Sequence, residues 1–487
     1  MTEQETHISP QPNGWVWTTL GQISATTSGG TPLRKHPEYF GGTIPWLKSG
    51  ELNNGLITNF EETITEEGLN NSSSKIIPSG TLLIALYGAT TGKLGILGID
   101  AAINQAICAI TVPEELNKRY VFHYLSFYRD TLLNSRKGGA QPNISQQIVN
   151  EIAFPLPPFP EQHRIVAKIE KLFSRLDDGV ETLKKVQLQL KRYRLSVLKS
   201  AFDGTLTAEW RETHKAELEP ASILLQKIKE ERKKRGNYKE LSFSDTTDLT
   251  ELPEEWEWTR IGDISDVNPR VVSEFPESFE VSFIPMRSIE AMTGKVDLSI
   301  IKPYEEVRKG FTHFLSGDLL FAKITPCMEN GKVAVVSNLK NGVGFGSTEF
   351  HVIRPFGKIP SKLIFFYVLQ ESFRKDARQQ MTGTAGQLRV PSRYLSEAVF
   401  PFPPLPEQQI IVGEIERYLS VVDETETMVE QSLKQSERLR QSILKKAFEG
   451  KLIPQDPDDE PADKLLERIK IERTKMSIKQ GKTAYGK

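Results

Sequence analysis

The stretch YGATTGKLG, from Tyr87 to Gly95, sets a lysine behind glycines as a phosphate-cradling loop would, and is the first candidate for nucleotide chemistry in the chain. Such a loop needs four residues between its leading glycine and Gly-Lys, then Ser or Thr for the metal, then a helix. Gly88 and Gly92 enclose only three residues, Leu94 follows Lys93, and LGILGID is no helix start. Methyl transfer to a base amine would need an Asn/Asp-Pro-Pro-aromatic loop around a flipped base, plus a Gly-rich cofactor loop. Asn268-Pro269 is followed by Arg270 and Val271 and fails that pattern. Metal-assisted cleavage would need clustered carboxylates with a lysine. DPDDEPADK, from Asp456, is acidic enough, but it lies in a polar stretch between elements and reads as a solvated loop. The seven histidines lack ligand spacing, and no Gly-x-Ser-x-Gly elbow occurs. The chain therefore reads as non-catalytic.

A chain of 487 residues exceeds one ordinary core, so two or more domains are expected. Apolar content of 38% and charged content of 26% fit a globular protein with ample material to bury. The longest apolar runs, TLLIAL and LIFFYVL, are far short of the roughly 20 residues that span a bilayer. The polar start MTEQETHISPQPNG lacks the features of a secretory signal, and Cys108 and Cys327 are too few and too far apart for a disulfide framework or thiolate metal site. A cytoplasmic location without membrane contact is expected. Net charge of −1 gives no global pull toward nucleic acid, so any such contact must come from local basic surfaces or partners.

What positions these residues is a duplication. PLPPFPEQHRIVAKIEKLFSRLDD from Pro155 recurs without gaps as PFPPLPEQQIIVGEIERYLSVVDE from Pro401, and SVLKSAFDGTL recurs as SILKKAFEGKL. Upstream, GWVWTTLGQI pairs with EWEWTRIGDI; downstream, EPASILLQKIKEER pairs with EPADKLLERIKIER. Pro160-Glu161 and Pro406-Glu407 are helix starts, since proline and an acid both suit a helix N-terminus. About 40 residues then run without a break, with Ile169, Leu176, Leu183, Leu190 and Val197 seven apart and Leu172, Val186 and Tyr193 between them. In the second copy Ile415, Val422, Val429 and Ile443 keep the frame, with Ser436 as the lapse. Two such helices pack most simply on each other. SGTLLIAL and SGDLLFAK predict strands, while NKRYVFHYLSFYRDTLL and PSKLIFFYVLQESFRKDAR predict helices laid on a sheet.

Two variable halves, each followed by a PLPPxPEQ bend and a heptad helix ending SxLKxAFxGxL, resemble the specificity (S, HsdS) subunit of type I restriction-modification enzymes. The resemblance runs from about Gly14 to Arg473 and implies an α+β chain. Two α/β target recognition domains would each be followed by a long helix, the two helices forming an antiparallel coiled coil with pseudo-two-fold symmetry. The corresponding boundaries are 1–160 for the N-terminal recognition domain, 161–205 for the first coiled-coil helix and 206–250 for a connector with a helix. The C-terminal recognition domain then takes 251–400, the second coiled-coil helix 401–453 and the tail helix 454–487. It further implies a sequence-specific binder of double-stranded DNA that reads a bipartite target and docks two methyltransferase (modification) subunits and two restriction/translocation subunits. S-adenosylmethionine, ATP and Mg would belong to those partners, with no cofactor or metal in this chain. About 40 helical residues give a spacer of roughly 60 Å, which matches about 17 base pairs.

On that reading, base contacts are expected from donors and acceptors on loops. In the first half these are Lys48 and Ser49 in WLKSG, and Arg136, Lys137, Gln141 and Asn143 in NSRKGGAQPNIS. YGATTGKLG becomes a variable turn presenting Lys93, because the second copy, KITPCMENGKVAVV, lacks the leading glycine and is longer. Second-half counterparts are Arg287, then Lys323, Thr325 and Lys332, then Arg378, Gln387, Arg389 and Arg393. Trp15, Trp17, Trp256 and Trp258 read as packing residues, and Lys184, Lys185, Lys191, Arg192 and Arg194 as a solvated helix flank.

Overall fold

In a computed structural model, which describes residues 12–134, 143–234, 249–270, 274–384 and 386–484, the chain divides into two units. The first comprises Met1–Leu183 with Gln431–Lys487; the second is Lys184–Glu430. Each long helix therefore contributes its first half to one unit and its second half to the other.

In the first unit a five-stranded sheet runs in the order Ala25–Ser28, Ile107–Thr111, Leu82–Ala85, Leu94–Leu97, Leu56–Ile57. All neighbours are antiparallel except the last pair. Leu82–Ala85 of the predicted strand SGTLLIAL is its centre, and its alternation explains why all four residues are apolar. Leu82 and Ile84 face the helix Lys118–Asn134, whereas Leu83 and Ala85 face Leu47, Ile103 and Ile107. A strand covered on both faces has no polar side to show. The second unit repeats the arrangement with four strands, and there Leu319 and Phe321 join one cluster while Leu320 and Ala322 join another. Its predicted helix breaks in two, Ser361–Val368 and Glu371–Gln379, because Gln370 turns extended (φ −58°, ψ 143°) and starts a new N-terminus.

Each unit is closed at the root of its long helix. Val16–Thr19 pairs antiparallel with Ala153–Leu156, and Glu257–Arg260 with Val399–Phe402, so the first and last strands of each globular part lie side by side. The long helices, Phe159–Phe202 and Leu405–Phe448, start immediately afterwards. Within each unit they run antiparallel. In the first, Ile165 and Ile169 share a core with Ile443 and Phe448, and the Arg440 guanidinium lies over Phe173 while pairing with Asp177. In the second, Val197 and Leu198 share a core with Ile411 and Ile415, and Tyr193 packs edge-on to Tyr418. At the lapse, Ser436 turns its hydroxyl back to the Ser432 carbonyl at 2.9 Å.

Arg194 departs from the expected solvated flank. Its side chain is 12% exposed and bridges Asp423 and Glu426, because an arginine beside the seam can fork between two carboxylates of the facing helix. Lys184, Lys185, Lys191 and Arg192 are exposed. Asp459, in the acidic stretch read as solvated, is 9% exposed in its side chain and holds Arg164. The segments after the long helices also do more than connect. Ala221, Leu225 and Ile228 of the helix Ala221–Lys234 pack against Ile261 and Ile264 in the second unit. Ala462, Leu465 and Ile469 of Ala462–Ala484 pack against Leu20 and Ile23 in the first. Equivalent bonds seal both: the Arg232 guanidinium donates to the Gly262 carbonyl, and that of Arg473 to Gly21.

The Glu of each Pro-Glu-Gln bend proves to be buried rather than a solvated helix cap. Glu161 accepts the Trp15 indole N–H at 3.0 Å, and Glu407 accepts that of Trp256 at 2.8 Å. Glu407, with no exposed side-chain surface, also takes the Thr207 hydroxyl at 2.6 Å and the Arg211 guanidinium at 2.8 Å. The neighbouring glutamines bond backward to the bend itself: Gln162 Nε2 donates to the Pro157 carbonyl and Gln408 Nε2 to that of Pro403.

Glu407→Ala leaves Arg211 charged and unpaired in the interior, and is expected to lower stability by about 3–5 kcal/mol in urea unfolding. Burial pushes the Glu161 carboxyl above its ordinary range, against the pull of the Trp15 N–H and Arg164. The folded protein thus holds that proton to higher pH than the unfolded chain does. The group's contribution is most favourable at low pH and is lost as pH rises through the raised folded value. Urea unfolding followed from about pH 4 upward is expected to show this slope in the wild type and not in Glu161→Gln.

Candidate nucleic-acid interface

In the second unit four turns meet at the end of the sheet where Leu319–Ala322 stops. The turn 323–332 follows that strand, and its Lys323 N–H donates to the Glu349 carbonyl at 2.9 Å. The Val390 N–H returns to the Lys323 carbonyl at 2.8 Å, and the Thr325 N–H donates to Leu388 at 3.0 Å, drawing in the segment 382–390. Lys332 Nζ reaches the Met286 carbonyl at 2.9 Å, adding the turn that carries exposed Arg287.

The first unit builds the same frame. Leu86 takes the place of Lys323: its N–H donates to the Ala106 carbonyl and its carbonyl accepts from Ile144, both at 2.7 Å. The turn 86–93 is a hairpin between antiparallel strands, with Gly88 and Gly92 at positive φ (87° and 73°), and no helix follows. A fourth turn joins through Asn54, whose N–H donates to the Leu94 carbonyl and whose Oδ1 accepts the Leu94 N–H, each at 2.9 Å.

Lys323, Thr325, Lys332, Gln387, Arg389 and Arg287 are therefore brought together, and Arg378 joins them through Glu329 at 3.4 Å. The Thr325 hydroxyl is buried with no partner among the described residues. Arg393 stands apart on the helix Ser392–Glu397, paired with Glu397 at 2.9 Å. In the first unit Lys93, Ser49 and exposed Asn143 lie on the converging turns. Lys48 is turned to Glu61 and Glu62 at 2.8 and 3.0 Å, contacts that raise its amine above its usual value. Arg136, Lys137 and Gln141 lie outside the described residues. Trp15 and Trp256 are buried, while Trp17 is 42% exposed and Trp258 bonds to the Thr250 carbonyl.

Two participants were missed by a search for donors on loops. Glu349 receives Arg389 on both oxygens, which holds its carboxyl below the usual range. Arg129, on the helix Lys118–Asn134, donates to the Thr91 carbonyl at 3.3 Å and braces the Lys93 turn from below. Nothing in the local sequence marks either one, since each acts on a turn far away in the chain. Among the described residues no group of three or more His, Cys, Asp or Glu could hold a metal ion. Burial pushes the Cys108 thiol up to about 12, which leaves it protonated and unreactive.

A family described as the type I restriction modification DNA specificity domain matches residues 12–191 and again 253–435. The EcoAI specificity subunit of Escherichia coli is 36% identical over 342 residues, covering 60% of this chain and 57% of that protein. The EcoEI specificity subunit of Escherichia coli is 34% identical over 345 residues, covering 60% and 56%, so the chain spans a little over half the length of these two relatives. The EcoKI specificity subunit of Escherichia coli K12 is 25% identical over 485 residues, covering 95% and 96%. Among solved structures, a chain from a study of complex assembly in the type I R-M system superposes with a TM-score of 0.67 at 20% identity, covering 91% of this chain and 100% of that one. The HsdS subunit of Thermoanaerobacter tengcongensis gives 0.54 at 19%, covering 92% and 99%. At such identities the superpositions establish the fold.

Gly92 sits at positive φ, and a Cβ there would lie 3.1 Å from the Arg129 Cγ. Gly92→Ala is expected to lower stability by about 1–2 kcal/mol, measured by urea unfolding.

Proposed function

The chain belongs to the type I restriction modification DNA specificity family, and from that premise we propose that it binds double-stranded DNA at a bipartite target and brings partner subunits to it. The observation that carries this reading is the shared frame of the two interfaces. The same backbone hydrogen bonds present three corresponding turns in each unit, yet the side chains on them differ almost completely. A scaffold kept while its donors and acceptors change is what two readers of different base sequences require, since phosphate contacts position a protein and side chains on base edges specify.

The recognition domains are assigned to 1–160 and 251–400, the spacer helices to 161–205 and 401–453, and the segments 206–250 and 454–487 to bracing the readers. The reading residues are the gathered set: Ser49, Lys93 and Asn143 in the first unit, and Arg287, Lys323, Thr325, Lys332, Arg378, Gln387 and Arg389 in the second. Lys48 and Arg393, already held by carboxylates, take secondary roles at phosphates. The chain acts without chemistry of its own. It docks two methyltransferase subunits and two restriction/translocation subunits, which carry S-adenosylmethionine, ATP and Mg. It works in the cytoplasm; no helix among the described residues is long and apolar enough to cross a membrane.

Methylation mapping in cells holding this chain and its partners tests the reading. Replacing 251–400 with the matching segment of a relative is expected to change one half of the methylated motif and leave the other. Deleting one heptad from each long helix is expected to shorten the gap between the halves. An unaltered motif in both variants would sink the proposal.

A further inference from the structure

Arg389 is held by its side chain and by its backbone. Its Nε donates to Glu349 Oε2 at 2.9 Å and its Nη2 to Oε1 at 2.8 Å, so the carboxylate grips one edge of the guanidinium. Nη1 donates to the Gln387 carbonyl at 3.0 Å. The backbone is clamped too, since Arg389 and Thr382 exchange N–H to carbonyl bonds at 2.9 and 3.0 Å. Of the five N–H groups of the guanidinium, these contacts leave one on each terminal nitrogen. The side chain is 40% exposed, on one of the four converging turns.

Stability does not explain this pair. Exposed ion pairs contribute little, and the first unit keeps the same backbone bonds with Ala106 in place of Glu349 and Asn143 in place of Arg389. The frame therefore stands without the pair, and both members change together between the two readers. Two donors fixed in one plane match two acceptors on one base edge, and in the major groove that edge is O6 and N7 of guanine.

We propose that Arg389 reads a guanine in the half-site taken by the second unit, with Glu349 as the positioning residue that fixes the plane of its guanidinium. This rests on the DNA-reading role proposed above. Fixing the fork before binding removes the rotamer entropy that a free arginine would lose at the base, and it rejects adenine, whose N6 amino group would oppose a donor.

The test uses the full chain and a randomised duplex pool, followed by duplexes carrying 7-deazaguanine, which pairs normally but lacks N7. The wild type is expected to select guanine at one position and to lose affinity about 5- to 150-fold when Arg389→Ala removes the fork. 7-Deazaguanine at that position is expected to weaken the wild type and leave Arg389→Ala unaffected. Arg389→Lys, which keeps the charge without the fork, should keep affinity for unrelated DNA and lose the guanine preference. Glu349→Gln should weaken that preference without moving the unfolding midpoint. If the wild type selects a sequence but Arg389→Ala and Arg389→Lys select the same one, the assignment of Arg389 is overturned while the DNA-reading role stands. If the wild type selects no sequence, the broader reading falls and takes this one with it.

Discussion

A carboxyl group taken out of water must be met by donors or give up its charge, and each half of this protein is organised around one. Glu161 and Glu407 sit in the first turn of the two long helices, 1% and 0% exposed, and each receives an indole N–H from the tryptophan just before the opening strand of its globular part. The strand is thereby tied to the helix, and the pairing of first and last strands fixes both to the sheet. The two locks are completed differently. Glu407 is neutralised by Arg211 and also accepts the Thr207 hydroxyl; among the described residues Glu161 has no guanidinium at hydrogen-bond distance, and burial pushes its carboxyl up. The segment that supplies Arg211 follows the first long helix, and the one that supplies Gln455, bonded to the Asn13 carbonyl, follows the second. Each reader is thus braced by the stretch of chain that trails a long helix, and the tail of the sequence returns to its beginning.

With the roots fixed, the far ends of the strands are free to vary. Leu86 and Lys323 occupy one backbone position in the two units and make the same pair of hydrogen bonds. Their side chains could hardly differ more. Backbone bonds specify where a turn goes without specifying what it carries, so the frame persists while the reading surface changes. Arg389 and Glu349 show what such change can build: a planar fork held by a carboxylate, where the other unit has Asn143 and Ala106.

Of the functional surface, the turns were legible and their internal ties were not. Gly-Lys in YGATTGKLG, Arg and Gln around GTAGQLR and the lysines bracketing PCMENG mark loops by composition alone. That Lys48 is taken up by Glu61 and Glu62, that Arg393 is satisfied on its own helix, and that Glu349 grips Arg389 depends on side chains meeting in space. A search for hydrogen-bond donors also passes over Glu349, an acid whose part is to orient a base-facing arginine.

The sequence by itself determined the duplication, the central strand of each half and the long helices, because these follow from short-range rules: proline and an acid at a helix start, apolar residues every three or four positions, and apolar runs in strands covered on both faces. It also determined that no phosphate loop exists at Lys93, since one missing residue and the absent helix are local facts. Only the tertiary structure decided that Glu161 and Glu407 face inward to the tryptophans, that Arg194 leaves the solvated flank for Asp423 and Glu426, and that the trailing helices complete the readers. Each of those joins residues far apart in the chain, or on facing helices, and a burial or a charge pairing of that kind has no period for a sequence to display.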